Sequence, residues 1–460
     1  MAPKLNILAG TIALVGILLW RSGRAFNSFL LPTHDFPIAY FSGGLHDSQC
    51  TTLRDPDERQ NELKYCEDAT FWDLVHSESG ELQDRLVIAS CEPGRKAWHL
   101  VNGPLRDAEP RGALWVFPAR GPEVRKPKKI QLEGYPEGHY FHPMGLQVYP
   151  AHSSQDDSFM YVVNHAKNGG YITTIEQFSI SWSDPTIATH IRTLSSPHFV
   201  SLNALALTSP TSFYVTNDHY LVPEYYGFLD EALYMVETLL GLPLSWVSHV
   251  SLHPNEETSS VNVEHEVVAR GIAFANGISL SSSGETVAVA SSSLAEVLLF
   301  NRDPSSNALS FSSRIPLPFA PDNLAFYHRD GHGDAESLIV AGHPHFPSLG
   351  SVAQNVPGAI APSWVLSLTP RPPSNDTSTS FFSSSNTSSE SRYDTEAPVS
   401  ASRKAGAVES HEAKTLYQSD GRAFGTSASG LWDADGDRAG KGVLYVAGIF
   451  EEGLLMCSEA

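Results

Sequence analysis

Positive charge is scarce in this chain: 30 Lys and Arg stand against 51 Asp and Glu among 460 residues, a formal net charge of −21. That balance excludes nucleic acid or an anionic membrane surface as an electrostatic partner, and suits a soluble, cation-attracting surface. Cysteine is scarce as well, with only Cys50, Cys66, Cys91 and Cys457. Long apolar runs are missing with one exception, Asn6 to Trp20 (NILAGTIALVGILLW), which is followed by Arg21 and Arg24. As a helix that run covers about 22 Å, short of the ~30 Å hydrocarbon core of a bilayer. Its length fits the apolar region of a signal peptide or a short signal anchor. A clean small-x-small cleavage motif is absent, although a cut after Ala25 is available, so residues 1–31 read as a signal anchor or an uncleaved signal peptide. Lys4 on one side and two Arg on the other leave the orientation unset.

Helical periodicity is almost absent too. Pro223 to Leu242 is the exception, with Phe228, Leu229, Ala232, Leu233, Val236, Leu239 and Leu240 at helical spacing. It lies between strand-like segments, and reads as a helix over one face of a β fold, packed as core or forming a wall over a site. What the chain has in quantity is turn chemistry: 34 Gly and 31 Pro punctuate short β-rich runs, with a hydrophobic share of 41% that is enough for a core. The runs recur at roughly 45–60 residues, a blade-like spacing that predicts an all-β propeller over residues 32–460. Within it, Pro370 to Glu412 is rich in Ser, Thr and Pro. It reads as a disordered surface insertion in the last blade, and Asn375 and Asn386 head glycosylation sequons there. Asp433 to Asp437 (DADGD) opens like a calcium-binding loop but lacks its Gly spacing and final Glu, and reads as a solvated turn.

Four oxygen-rich steps stand at the edges of apolar runs: Glu67–Asp68, Leu202–Asn203, Asn276–Gly277 and Asp322–Asn323. Asn276–Gly277 lies in GIAFANGISL, where Asn–Gly between β-like flanks signals a turn. Asn amide and carboxylate oxygens are ligands for a hard cation such as calcium, and four such steps along a repetitive β chain suggest loops converging on one point. A bridge from Cys50 to Cys457 would close a very long loop and suit a ring whose ends meet. A Cys66–Cys91 pair or free thiols are the alternatives, and sequence leaves the connectivity open.

The motifs FANGI (Phe274–Ile278), YVVNH (Tyr161–His165), LNAL (Leu202–Leu205), FYVTNDHY (Phe213–Tyr220), PDN (Pro321–Asn323), GHP (Gly342–Pro344) and ED (Glu67–Asp68) occur in this order. In that order the chain resembles the serum paraoxonase/arylesterase family, calcium-dependent lactonases and esterases built as six-bladed β-propellers. The likeness runs from about Cys50 to Cys457, less the Ser-rich tract. It implies a terminal Cys50–Cys457 disulfide and a hydrophobic N-terminal segment that is not cleaved. It implies a catalytic calcium held by Glu67, Asn203, Asn276, Asp322 and Asn323, with Asp218, His219 and His343 in support. It implies a second, structural calcium near Asp68 and the carbonyl of Leu146, but Ala204 stands where the family has an aspartate. It implies a pair of histidines that activates water; His165 matches the second, while Met144 stands in place of the first. A thioether takes no proton, so His142, two residues earlier on the same face of an extended segment, is the candidate substitute, with Glu67 or a calcium-bound hydroxide as others. The expected function is a secretory-pathway hydrolase, membrane-anchored or secreted, acting on small esters and lactones. The alternative is a calcium-stabilised propeller with little hydrolysis that serves as a binding protein.

Overall fold

Short apolar runs joined by tight turns can bury both faces only by stacking sheet on sheet, and radial repetition does this without exposing long edges. The computed structural model describes residues 2–30, 33–44, 49–98, 112–121, 126–154, 156–167, 171–222, 230–254, 261–328, 336–371, 394, 396–401, 410–434 and 441–459. Six sheets of four or five strands form a six-bladed propeller. The innermost strands of blades 1 to 6 are Cys66–Val75, Pro143–Val148, Leu202–Ser209, Ala275–Leu280, Ala320–His328 and Ser427–Asp433. Between neighbouring blades lie apolar layers such as Val87, Trp115, Tyr445 and Leu454, all buried.

Both ends of the chain close the ring. Cys50–Leu53 pairs antiparallel with Leu454–Ser458 as the outer strand of blade 6, with Cys50 opposite Cys457. The two cysteines are bonded, and Cys66 and Cys91, opposite one another in blade 1, form a second disulfide. Tyr40–Phe41 adds a further edge to blade 5.

Two expectations change. The Ser/Thr/Pro-rich tract belongs to blade 5 rather than the last blade, because it joins Ser363–Pro370 to His411–Ser419. Most of it, with Asn375 and Asn386, lies outside the described residues. Its far end is part of the fold: Ala397, Val399 and Ala401 are buried, and Val399 exchanges hydrogen bonds with the Gln418 side chain at 3.1 and 2.7 Å. Asp433 is likewise no solvated residue. It is buried on the inner strand of blade 6 and bridged to Arg85 of blade 1 and to Arg120, at 3.1 and 2.8 Å.

The N-terminal helix Ala2–Phe29 lies on one face of the ring, where Ala25 and Phe29 pack with Ala320, Leu239 and Phe346. Its middle is exposed, with Ile12, Leu14, Ile17 and Leu19 in solvent. No helix among the described residues is long and apolar enough to cross a membrane.

The terminal disulfide generates a direct test. It joins residues 407 apart, and chain-entropy reasoning gives such a cross-link on the order of 4–5 kcal/mol or more. Serine at both Cys50 and Cys457 is therefore expected to lower the free energy of urea unfolding by several kcal/mol. An unchanged urea midpoint would mean that the ring closes through strand pairing alone.

Candidate functional site

Every inner strand carries an irregularity where it starts at the propeller axis. The register slips between Cys66 and Asp68, Pro143 and Leu146, Leu202 and Leu205, Ala275 and Ile278, Pro321 and Leu324, and Ser427 and Ser429. Such bulges bend a strand and re-aim its side chains. Asn276–Gly277 is thus not the expected turn: Asn276 sits inside a strand, and the chain reverses earlier, through Gly271 and Phe274 with φ of 78° and 57°. Gly277 is needed for close approach, since a Cβ there would lie 2.6 Å from the Asn323 Cα and 2.7 Å from the Asp322 carbonyl.

At the axis the structure brings together Glu67, Asn203, Asn276, Asp322 and Asn323 from blades 1, 3, 4 and 5, all at most 5% exposed. Each is anchored by one end. Asn203 Nδ2 donates to Asp218 Oδ2 at 3.3 Å, and Asn276 Nδ2 donates to Ser292 Oγ at 3.1 Å. Asn323 Nδ2 donates to the Glu67 carbonyl and to Glu67 Oε1, at 3.2 and 3.0 Å. Asp322 Oδ2 accepts from His343 Nε2 at 2.9 Å. The other ends are left over: Glu67 Oε2, Asn203 Oδ1 and Asn276 Oδ1 are buried without a hydrogen-bond partner. Three orphaned acceptors in one small space cost free energy unless a donor or cation meets them. Burial first, then the charges of Asp68 and Asp322, push the Glu67 carboxyl well above its ordinary 4.5, against the pull of Arg95 and Asn323. Among the described residues no three His, Cys, Asp or Glu side chains group to hold a metal. The set at the axis is instead two carboxylates and three amides, an oxygen-only shell that fits calcium in chemistry and charge.

Asp218 and His219 hold this shell from behind. Asp218 Oδ1 accepts from Ser201 Oγ and from His219 Nδ1, and His219 Nε2 bonds Thr238 Oγ1 at 2.8 Å. Thr238 belongs to the helix Asp230–Leu240, the described part of the helix expected over 223–242. With Phe346–Ala353 this helix walls a cavity over the axis. Tyr234, Met235, Phe274, Phe346, Leu349 and Phe450 form its apolar sides, and Glu67, Asn203, Asn276 and Asp322 lie at its polar end.

The histidines differ from expectation. Met144 lines the cavity, whereas His142 and His165 are not among its walls. His142 is buried, its Nδ1 bonded to Glu92 Oε2 at 3.0 Å. Buried His165 donates from Nε2 to the Leu202 carbonyl at 2.6 Å. Its pKa falls to about 4, as burial outweighs that bond. His343 is the histidine that reaches the cavity. Two residues escaped sequence reasoning. Glu92 and Arg95 sit in the turn after Cys91, an ordinary-looking EPGRK stretch with no pattern to mark it. Both are buried behind Met144, and Arg95 Nη1 lies 2.9 Å from the Met144 sulfur.

The residues implied for a structural calcium do not fit one. Asp68 Oδ1 already accepts from the Ala69 N–H and Ser429 Oγ at 2.8 and 3.0 Å, and Oδ2 from the Leu146 N–H at 3.0 Å. Beside them, Gly145 packs against Ala204, whose methyl supplies no oxygen.

The family model for Arylesterase matches residues 110–388. Serum paraoxonase/arylesterase 2 of Bos taurus is 29% identical over 205 residues, which cover 45% of this chain and 50% of that protein. Serum paraoxonase/arylesterase 1 of Homo sapiens is 34% identical over 154 residues, 33% of this chain and 36% of that protein. The matched part thus spans half or less of the length of these two relatives.

Support for the His142 segment comes from a second buried carboxylate. The His142 N–H donates to Asn164 Oδ1, and Asn164 Nδ2 donates to Glu176 Oε1, both near 2.9 Å. Burial raises the Glu176 pKa, but bonds from His139, His190, Asn164 and Thr193 outweigh it and hold the group far below 4.5. Because the folded pKa is depressed, the stabilisation is present above about pH 4.5 and is lost as pH falls below it. Glu176→Gln is expected to flatten the acid limb of stability between about pH 5 and 3, by roughly 1–3 kcal/mol. Parallel limbs in urea titrations of the two proteins would refute this.

Proposed function

The chain belongs to the arylesterase family, and from the axial cavity we propose that it is a calcium-dependent hydrolase of small carboxylic esters and lactones. The observation that carries this reading is the trio of buried, unpartnered oxygens, Glu67 Oε2, Asn203 Oδ1 and Asn276 Oδ1, at the end of an apolar-walled cavity. With Asp322 and Asn323 these residues would hold the ion. A bound calcium supplies Lewis acidity that polarises an ester carbonyl and stabilises the oxyanion.

The chain's own groups do the rest. Tyr234, Phe274, Phe346 and Leu349 bind the apolar body of the substrate and exclude bulk water from the acidic end. Among the described residues, the carboxyl and imidazole groups on the cavity wall are those of Glu67, Asp218, Asp322 and His343. Asp218 is committed to Ser201, Asn203 and His219, and His343 to Asp322. Glu67 is the acid on the wall not committed to a histidine, and we assign its carboxylate, whose oxygens have lone pairs for both an ion and a proton, the proton of the attacking water. That proton then passes to the alkoxide leaving group as the tetrahedral adduct collapses, which balances the hydrolysis. His142 and His165 serve behind the wall as positioning residues, through Glu92 and the Leu202 carbonyl.

The alternative is a calcium-stabilised binding propeller with little turnover. Met144 favours it, because a thioether faces the cavity where the family has a histidine. We further propose one calcium per chain, the Asp68 pocket being closed by hydrogen bonds. Two disulfides suit an oxidising compartment. With the apolar N-terminal segment they support the secretory route, and we propose that the protein is secreted or held at a membrane by that segment.

A panel of lactones and phenyl acetate, assayed with and without a calcium chelator, tests the hydrolase reading. Chelator-sensitive turnover is expected; turnover indifferent to chelation sinks the metal reading, and none on any substrate favours the binding propeller. Because Asn276 is a strand residue, alanine is the clean probe of its role. Asn276→Ala is expected to weaken calcium binding about 10–100-fold or more, read as the calcium midpoint of the melting temperature. Wild-type calorimetry should give one site per chain. Identical midpoints in the two proteins, or two equivalent sites, would overturn the assignment.

A further inference from the structure

An arginine is almost never fully buried unless an acid pairs with it. Arg95 is 1% exposed, yet its three hydrogen bonds go to neutral acceptors: Nε to the Tyr65 carbonyl at 3.0 Å, Nη2 to the Pro143 carbonyl at 2.8 Å and Nη1 to the Met144 sulfur at 2.9 Å. Burial lowers its pKa, and the acids that oppose this are, in order, Glu67, Glu92 and Asp322. Glu92 is engaged with His142. The other two are the carboxylates of the axial oxygen shell. The guanidinium therefore balances, at longer range, the same charge that the proposed calcium would balance.

Its position is fixed from three sides. Tyr65 lies two residues before Glu67, and the Cys66–Cys91 disulfide ties that strand to the one that leads into the Arg95 turn. Pro143 and Met144 belong to the inner strand of blade 2. The Met144 sulfur is a weak acceptor that a guanidinium tolerates, whereas an imidazolium in that place would meet a like charge. Arg95 and Met144 thus act as a pair in physical terms: a permanent cation behind the wall, with a proton-inert side chain in front of it.

We propose that Arg95 is a resident cation of the axial site, which partly neutralises Glu67 and Asp322 when no metal is present, stabilises the metal-free propeller, and lowers the site's affinity for calcium. The inference rests on the reading of Glu67 and Asp322 as calcium ligands. Without the ion, the two carboxyl groups of the shell face one guanidinium; without Arg95 they face no cation, and a dication gains what the arginine gave up. An arginine that only staples strands would act in the opposite direction, since its loss would loosen the shell and weaken binding.

The test compares full-length wild type, Arg95→Gln, which keeps a donor without charge, and Arg95→Lys, which keeps the charge. Melting temperature in chelator and calcium Kd by calorimetry are read for each. The metal-free melting temperature of Arg95→Gln is expected to fall while its calcium Kd tightens about tenfold or more, and Arg95→Lys to stay within about threefold of wild type. An unchanged or weaker calcium Kd in Arg95→Gln overturns the proposal. If Arg95→Gln is unfolded in chelator and folds on addition of calcium, the proposal stands in its strongest form. If it folds in neither, Arg95→Lys decides: a Kd within threefold of wild type supports the charge role, and a larger shift overturns it. Wild type that binds calcium separates failure of this inference from failure of the metal reading. No binding in any of the three proteins overturns both.

Discussion

Six strands cannot all run to one axis as regular β structure, because their side chains would collide or leave a hole. This propeller meets the constraint with a bulge at the start of each inner strand. The bulges take residues such as Glu67, Asn203 and Asn276 out of strict alternation and leave them buried at the axis. Gly145 and Gly277 permit close approaches between inner strands, where the next blade's backbone stands 2.5 to 2.7 Å from the place of a missing Cβ. The site is a consequence of closing the ring rather than an addition to it.

Closure would place polar groups at the axis in any case; what distinguishes this axis is that they are oriented. The N–H2 ends of Asn203, Asn276 and Asn323 are tied to Asp218, Ser292 and Glu67, which fixes where each oxygen points. A buried amide satisfied only on its donor side is costly, so the arrangement makes sense when something positive arrives. Arg95 supplies part of that charge from the next layer, and the hydrogen-bonded Asp68 closes the neighbouring pocket without any.

The architecture was legible because blade repetition leaves a periodic mark on the sequence, and the axial shell because its motifs keep their order along the chain. Local rules failed where the ring overrode them. Asn–Gly favours a turn in isolation, yet Asn276–Gly277 lies in a strand, because the close approach to Asn323 demands glycine there. A tract rich in Ser and Thr gave no sign that Val399 would fill a core beside Trp364. Asp433 read as solvated because the partners that bury it, Arg85 and Arg120, are more than 300 residues away. Arg95 was invisible for a related reason. An arginine after Pro–Gly reads as a surface turn, and its meaning depends on carboxylates that only the fold brings near.

Long-range dependence of this kind governs how the site can form. Glu67 and Asn323 are hydrogen-bonded although 256 residues apart, and the shell draws on blades 1, 3, 4 and 5. No run of consecutive blades short of most of the ring contains the set. Non-local contacts of this sort are reached late, after the entropy of closing large loops has been overcome. The Cys50–Cys457 bond holds blade 6 to the strand that precedes blade 1, and Glu67 lies one residue beyond Cys66, which the second disulfide secures. The second link thus falls beside Glu67, the carboxyl whose ionisation the closed ring opposes by burial. The buried Arg95 stands at the same junction, bonded to Tyr65 on one blade and Pro143 on the next. In this chain the closure of the propeller and the electrostatics of its axis are therefore one problem, met by the same few residues.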